Sequence, residues 1–389
     1  MTIDQSPRKI RVLHLASFHG NIGDVANHAG ARALFRECLD FSFEISELEI
    51  REFYWGLRKF DTSFVELANR FDLLLIGGGN YFELWVDKSA TGTSIDIEAR
   101  HLRALSVPTI FYSLGVDTGQ GYSQVAAQRF RAFMDSVLSR DEMFVCVRND
   151  GSRDALATVL GDRYAQRIPV MPDGGFFAGD TVKDINARLP GDRTLIGVNL
   201  AGDMLEHRFS EGFTASSFLT EFAQTCVALM DEYPALDIEL VPHIWRDVQV
   251  VSNFLPQMPD RLLRSRVRVA GLQASPSGLE SFLSSYGNYS LVLGTRFHAN
   301  VCPIEMGVPT RGLLNYPQVS KLYGELGMED RLIDVRRSGF GESIYASVKA
   351  DLENDEAIRV RYKTLAKQLR HDGNEVLSQM NLWLKRVIV

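Results

Sequence analysis

The feature that most constrains this chain is a recurring alternation of short, continuous apolar runs with helix-like segments. Residues 10–15 (IRVLHL), 71–76 (FDLLLI), 108–114 (PTIFYSL), 143–148 (MFVCVR) and 167–171 (RIPVM) are such runs, and the first three end at small or glycine-bearing loops. The rhythm restarts at 194–200 (TLIGVNL) and continues at 236–241, 266–270, 289–294 and 310–314. Strands that are apolar on both faces belong to parallel sheets covered by helices on each side. The pattern therefore predicts an α/β chain with two Rossmann-like doubly wound domains facing across a cleft. The first domain is expected over 1–177. A linker over 178–193 is polar and Gly/Pro-marked, the second domain covers 194–340, and residues 341–389 read as C-terminal helices rich in Glu, Arg and Leu. A length of 389 residues suits two domains of similar size.

Charge narrows the function. Lys+Arg 42 against Asp+Glu 49 leaves a net charge of −7, so the global field repels polyanions and nucleic-acid binding is disfavoured. An anionic ligand would need a local cluster of basic groups. Four isolated cysteines, Cys38, Cys146, Cys226 and Cys302, suggest neither a disulfide framework nor a zinc site. The N-terminus lacks the long apolar core of a secretory signal, and no later stretch is long enough to span a membrane. The expectation is a cytoplasmic, soluble protein without a metal or cofactor.

In open parallel sheets ligands sit beyond the carboxyl ends of strands, so strand-end residues are the candidates. After the first strand comes Gly20-Asn21-Ile22-Gly23-Asp24, preceded by His19, with Asp24 expected to cap the next helix. Its amides could meet an anion or a sugar hydroxyl, or merely shape a turn. Gly77-Gly78-Gly79-Asn80 follows the 71–76 run without completing a dinucleotide fingerprint or a Walker motif. Three glycines signal a close approach by either a packed element or a ligand. Ser113-Leu114-Gly115, Arg148 and Pro172-Asp173-Gly174 close the next three runs. The aromatics Tyr81, Phe82 and Trp85 suit either sugar stacking or core packing.

The sharpest signal is Gly294-Thr295-Arg296-Phe297-His298, between a strand and a helix expected from about Ala299. Residues two apart on an extended segment project the same way, so Arg296 and His298 could form a small cationic pocket at a helix N-terminus. A guanidinium binds phosphate or carboxylate through parallel hydrogen bonds, and an imidazole can exchange a proton near neutrality. Pro242-His243 closes another strand, while Tyr316 and Lys321 follow the 310–314 run.

Taken in order, these motifs resemble the polysaccharide pyruvyl transferase family. The resemblance rests on GNIGD at 20–24, Gly77-Gly78-Gly79, Ser113-Leu114-Gly115, Val147-Arg148 with Ser152, Pro172-Asp173, Pro242-His243, and above all Gly294 to Ala299 with Tyr316 and Lys321. It implies a glycosyltransferase-B-like fold and transfer of pyruvate from phosphoenolpyruvate to a saccharide as a cyclic ketal. It also implies that Arg296 and His298 belong to the donor site, with Phe297 between them. The family often carries an arginine shortly after the first strand of the second domain. Here that segment reads Gly197 to Gly202 without one, and Arg208 is the candidate replacement.

The resulting expectation places the donor on Arg296, Phe297, Thr295, and Arg148 or Lys321. His298 or His243 would supply the proton, Asp24 or Asp173 the base, and His19, Asn21, Gly78, Gly79 and Asn80 would hold the acceptor. Rival readings are a nucleotide-sugar glycosyltransferase or epimerase on the same architecture, or a non-catalytic glycan- or anion-binding relative, since a fold does not fix an activity.

Overall fold

The apolar runs become parallel strands in a computed structural model that describes residues 8–181 and 193–388. The first group comprises β1 (Arg8–Ala16), β2 (Phe41–Glu49), β3 (Leu73–Gly77), β4 (Phe82–Glu83), β5 (Thr109–Leu114), β6 (Val116–Asp117), β7 (Met143–Arg148) and β8 (Val170–Met171). The second comprises β9 (Thr194–Asn199), β10 (Leu236–Leu240), β11 (Val267–Val269), β12 (Leu291–Gly294), β13 (Thr310–Leu314) and β14 (Leu332–Asp334). Six strands form one all-parallel sheet in the order β2-β1-β3-β5-β7-β8, and six form another in the order β11-β10-β9-β12-β13-β14. The short β4 and β6 pair with each other, Phe82 opposite Val116 and Glu83 opposite Asp117.

Two compact units divide the chain. One holds the first sheet: the segment through Phe18, Ala31–Asp173 and the chain from Leu369 onward. The other holds the second sheet: His19–Gly30 and Gly174–Gln368. Most of the predicted linker, residues 182–192, lies outside the described residues. The C-terminal segment forms two helices, Phe340–Glu353 and Asp355–Val387. Among the described residues no helix is long and apolar enough to cross a membrane.

Each unit has its own core. Leu74, Ile76, Phe111, Phe130 and Val145 are buried in the first, and Ile196, Val198, Phe222, Ile238 and Leu293 in the second. Ile22, Val25 and Ala26, from the start of the helix Ile22–Cys38, join Leu195, Val241 and Tyr289 in a further cluster of the second unit. This explains why the loop after β1 is counted with the second sheet.

The strand orders locate the switch points, where the connection changes direction and a crevice opens at the strand ends. The second sheet has the dinucleotide-fold order with its switch between β9 and β12; the first switches between β1 and β3.

Candidate active site

At the switch point of the second sheet, the ends of β9 and β12 are tied together. Thr295 Oγ1 donates to the Asn199 carbonyl at 3.0 Å and accepts from the Ala201 amide at 2.7 Å. Asn199 Oδ1 accepts from the Arg296 amide at 3.1 Å, and its Nδ2 donates to the Val241 carbonyl at 2.8 Å. Thr295 is thus wholly buried and joins backbone segments.

Arg296 meets two carboxylates. Its Nε lies 2.7 Å and its Nη2 2.6 Å from Asp247, and Nη2 also contacts Asp203. Asp247 is fully buried in the first turn of the helix Trp245–Phe254 and also accepts from the amides of Gly202 (2.9 Å), His243 (2.9 Å) and Ile244 (3.2 Å). A carboxylate so supplied at a helix N-terminus is a fixed anchor. Burial disfavours the charge on Arg296, but the Asp247 hydrogen bond and the charges of Asp247 and Asp203 prevail and raise its pKa.

Arg208 completes the cluster. It donates to Asp203 Oδ2 at 3.0 Å, to the Asp203 carbonyl at 2.6 Å and to Asn315 Oδ1 at 3.0 Å, with its guanidinium 5.3 Å from the centre of the Tyr316 ring. Asp203 therefore bridges two guanidiniums. Burial pushes its carboxyl up, but the Arg296 and Arg208 charges outweigh that and hold it below the usual carboxylate range. Asp203 is 28 % exposed, whereas Asp247 is sealed. Two arginines and two aspartates sum to zero formal charge. Around the Arg296 of the cationic pocket expected from Arg296 and His298, the guanidinium charges are therefore balanced, with one of the anions at the accessible edge.

The histidines differ. His298 opens the helix His298–Glu305, its ring edge-on to Phe297 at 5.3 Å. A Cβ on Gly23 would lie 2.5 Å from His298 Nδ1 and 2.6 Å from its Cβ. The glycine of the GNIGD loop thus makes room for this imidazole. The loop is fastened to the same unit by Gly20 N to the Ala274 carbonyl (2.9 Å) and Ile22 N to the His243 carbonyl (3.3 Å). Helix capping there falls to Asn21 rather than Asp24. Asn21 Oδ1 accepts from the Gly23 amide and its Nδ2 donates to Asp24, both at 3.0 Å, because the helix begins at Ile22 and puts Asp24 inside its first turn. His19 is exposed. His243 is wholly buried, pairs through Nε2 with the Tyr286 hydroxyl at 2.8 Å, and has no partner for Nδ1 among the described residues. Burial, then the charges of Arg296 and His298, hold it well below the ordinary histidine range and hence neutral. Lys321 is exposed on the helix Pro317–Glu325.

The remaining expected residues gather in the other unit. Arg148 donates to Asp150 Oδ2 at 2.8 Å and approaches Asp173 at 3.4 Å, all three being buried. Asp173 also takes its position from its amide's bond to Asn149 Oδ1 at 2.9 Å. A Cβ on Gly115 would strike Asn80 Oδ1 at 2.3 Å and Arg148 Nη2 at 2.8 Å. Asn80 Nδ2 donates to Asp117 at 2.9 Å, and Asp117 faces Glu83 across the β4–β6 pair. Burial, opposed by a Ser94 hydrogen bond and aided by Asp117, pushes the Glu83 carboxyl up to about 7. Arg148 thus holds two carboxylates, and Asn80, beside it at Gly115, leads on to Asp117 and Glu83, so the region is rich in acids. The glycine triplet answers to packing: a Cβ on Gly77 would meet the Tyr112 carbonyl at 2.0 Å, and one on Gly79 the Tyr81 ring at 2.4 Å. Gly78 donates its amide to the Tyr112 carbonyl at 2.9 Å. Tyr81 and Phe82 are core residues, with the Tyr81 hydroxyl accepting from Ser17 N at 2.8 Å.

Sequence reasoning missed Asp203, Asp247, Asn199 and Glu83. Asp247 carried a usable signal, an acid in the first turn of a helix opened by Pro242-His243-Ile244.

The chain matches the model of the family described as polysaccharide pyruvyl transferase over residues 21–316. It belongs to that family. This pyruvyl transferase family member is accordingly a transferase, and its family acts in polysaccharide biosynthesis. No curated protein matches its sequence. Among solved structures it is similar to the MnaA–UDP complex of S. aureus, with a TM-score of 0.58 and 11% identity over 90% of each chain. It is also similar to UDP-GlcNAc 2-epimerase from Neisseria meningitidis bound to UDP-GlcNAc, with 0.53 and 10% over 93% of this chain and 100% of that one. A third is trehalose 6-phosphate synthase from Burkholderia multivorans, with 0.54 and 11% over 98% and 99%. At such identities the likeness speaks to the fold, which is glycosyltransferase-B-like.

Proposed function

We propose that this transferase moves pyruvate from phosphoenolpyruvate to a saccharide as a cyclic ketal and releases phosphate. The observation that carries the reading is the pair Arg296 and Arg208, held on one bridging aspartate at the switch point of the second sheet, with His298 at the adjoining helix start. Phosphoenolpyruvate bears a carboxylate and a phosphate. Two guanidiniums on a fixed frame suit both, and Asp247 keeps Arg296 aimed while Asp203 yields its place to the donor.

In the chemistry that follows, the enol methylene carbon of the donor takes a proton and an acceptor hydroxyl oxygen bonds to C2. The C2–O bond to phosphate then breaks, and a second hydroxyl of the same sugar closes the ketal. Two hydroxyl protons balance the methyl group formed and the hydrogen phosphate released. His298 is the proton carrier of this reading, since His243 is sealed and neutral. Asp24, one residue from the glycine that accommodates His298, is the nearby carboxylate for the acceptor proton. The acid-rich cluster around Arg148, with Asn80 and Glu83, suits a neutral acceptor whose hydroxyls donate to carboxylates, and is ill-suited to an anionic donor.

Mass spectrometry of a saccharide panel incubated with phosphoenolpyruvate tests the proposal. A product carrying a pyruvate ketal, with stoichiometric phosphate release, is expected. Nucleotide release from UDP-sugars without phosphate release from phosphoenolpyruvate would favour a nucleotide-sugar enzyme instead.

A further inference from the structure

The molecule carries an apolar projection that the transfer reaction does not use. After β2 the chain makes one helical turn, Arg51–Tyr54, and a tip at which Tyr54, Trp55 and Leu57 are 46, 65 and 72 % exposed. Such grouping of large apolar side chains on a surface marks an interaction site. The tip is built rigidly. Amides of Trp55, Gly56, Leu57 and Arg58 donate to carbonyls of Arg51, Phe53, Glu52 and Glu52 at 2.8–3.1 Å. Beneath it Phe53 stacks on Phe60 at 4.2 Å and meets Phe64 edge-on at 5.6 Å.

Beside the tip lies a cavity of about 630 Å³ with Leu48, Phe53, Phe64 and Leu67 among its apolar lining and Arg58, Lys59 and Arg70 among its cations. Against these three cations the lining has two acids, Asp61, which accepts from the amides of Ser63 and Phe64, and Glu66, while Arg58 also pairs with Glu52 outside the cavity. Over residues 51–59 the charged side chains are Arg51, Arg58 and Lys59 against Glu52, a local positive balance in a chain of net charge −7.

Tryptophan and leucine at a fixed tip, with the Tyr54 hydroxyl turned in to Ser94 and lysine and arginine alongside, match the polarity profile of a bilayer interface, where rings lie at headgroup depth and cations meet lipid phosphates. We propose that Tyr54–Lys59 docks this transferase on an anionic phospholipid surface, Trp55 and Leu57 entering the interface and Lys59, Arg58 and Arg70 engaging headgroups. Charge complementarity favours this occupant: an acidic protein approaches an anionic bilayer only through a locally basic face. Leucine, the most exposed of the three apolar residues, is a poor sugar platform, which argues against a saccharide site.

Co-sedimentation of the full-length protein with extruded vesicles tests the proposal independently of the reaction. Binding is expected to vesicles of phosphatidylglycerol in phosphatidylcholine, with at least tenfold weaker partitioning to pure phosphatidylcholine. The double variant Trp55→Ser, Leu57→Ser should lose at least tenfold in partitioning while its thermal unfolding stays unchanged, because both side chains are solvent-exposed. Arg58→Gln with Lys59→Gln should abolish the preference for the anionic lipid. Failure of the wild type to sediment, equal partitioning into both vesicle types, or undiminished sedimentation of the double variant overturns the proposal. So does a double variant that still sediments yet loses turnover of a soluble saccharide, which would make the tip a sugar platform.

Discussion

Arg148 and Arg296 each end a parallel strand or follow one, and each is held by two aspartates, yet their surroundings run in opposite directions. Around Arg148 the side chains are 4, 3 and 0 % exposed for Arg148, Asp150 and Asp173, and Asp117 and Glu83 add further carboxyls. Around Arg296 one aspartate is sealed, the other is 28 % exposed and shared with Arg208, and two histidines stand nearby. A strand-end arginine is therefore not in itself an anion site. The second unit adds a second cation and a partly exposed counter-charge, which is why the proposed donor site is placed there.

The largest effect is expected at Arg148. Replacing it by Met strands Asp150 and Asp173 in the interior and should cost about 3–5 kcal/mol, read as a lowered denaturant midpoint. An unchanged midpoint would show the cluster to be open to water. Glu83→Gln sharpens the acid-rich side. The folded carboxyl titrates near 7, above its unfolded value, so its stability contribution is full below the unfolded pKa and is lost as pH rises through the folded one. The variant should match the wild type at pH 4, below the unfolded pKa, and exceed it by about 3 kcal/mol at pH 8, measured by denaturation at both pH values.

Gly23→Ala probes the other unit, where the added methyl must displace His298. Overpacking should cost about 1–3 kcal/mol, and turnover should fall further than stability alone explains. Asp203→Asn has the smallest expected effect and the most informative sign. Removing the displaceable anion leaves the arginine pair with net positive charge, so the KM for phosphoenolpyruvate should fall severalfold. A rise in KM would make Asp203 a mere support for the guanidiniums.

Much of the fold was legible because central strands are apolar on both faces. Eight of the ten expected runs fall on interior strands, TRGLL at 310–314 on β13 among them, and the other two, 167–171 and 266–270, meet the short edge strands β8 and β11. What escaped was at the edges. β2 (FSFEISELE) alternates buried and exposed residues at one edge of its sheet, and the three-residue β14 closes the other sheet. An edge strand shows water one side and so lacks a continuous apolar signal. The chemistry was legible in its cations but not in its counter-ions. Arg296 and His298 announce themselves by spacing, whereas Asp203, from the loop after β9, and Asp247, from the first turn of the helix Trp245–Phe254, meet Arg296 only when the second sheet assembles. Gly23 reads from sequence as part of a βα turn, yet it lies in the first turn of the helix Ile22–Cys38, and its reason, the imidazole of His298, is a tertiary contact.

The central claim is that the arginine pair of the second sheet receives phosphoenolpyruvate. Titration calorimetry of phosphoenolpyruvate into the wild type and Arg296→Gln tests it most directly. The wild type should bind without competition from UDP-GlcNAc, and the folded variant should lose roughly a hundredfold in affinity, as for removal of a charge-assisted anion contact. Equal affinity of the two proteins for phosphoenolpyruvate, or binding of UDP-GlcNAc alone, would contradict it.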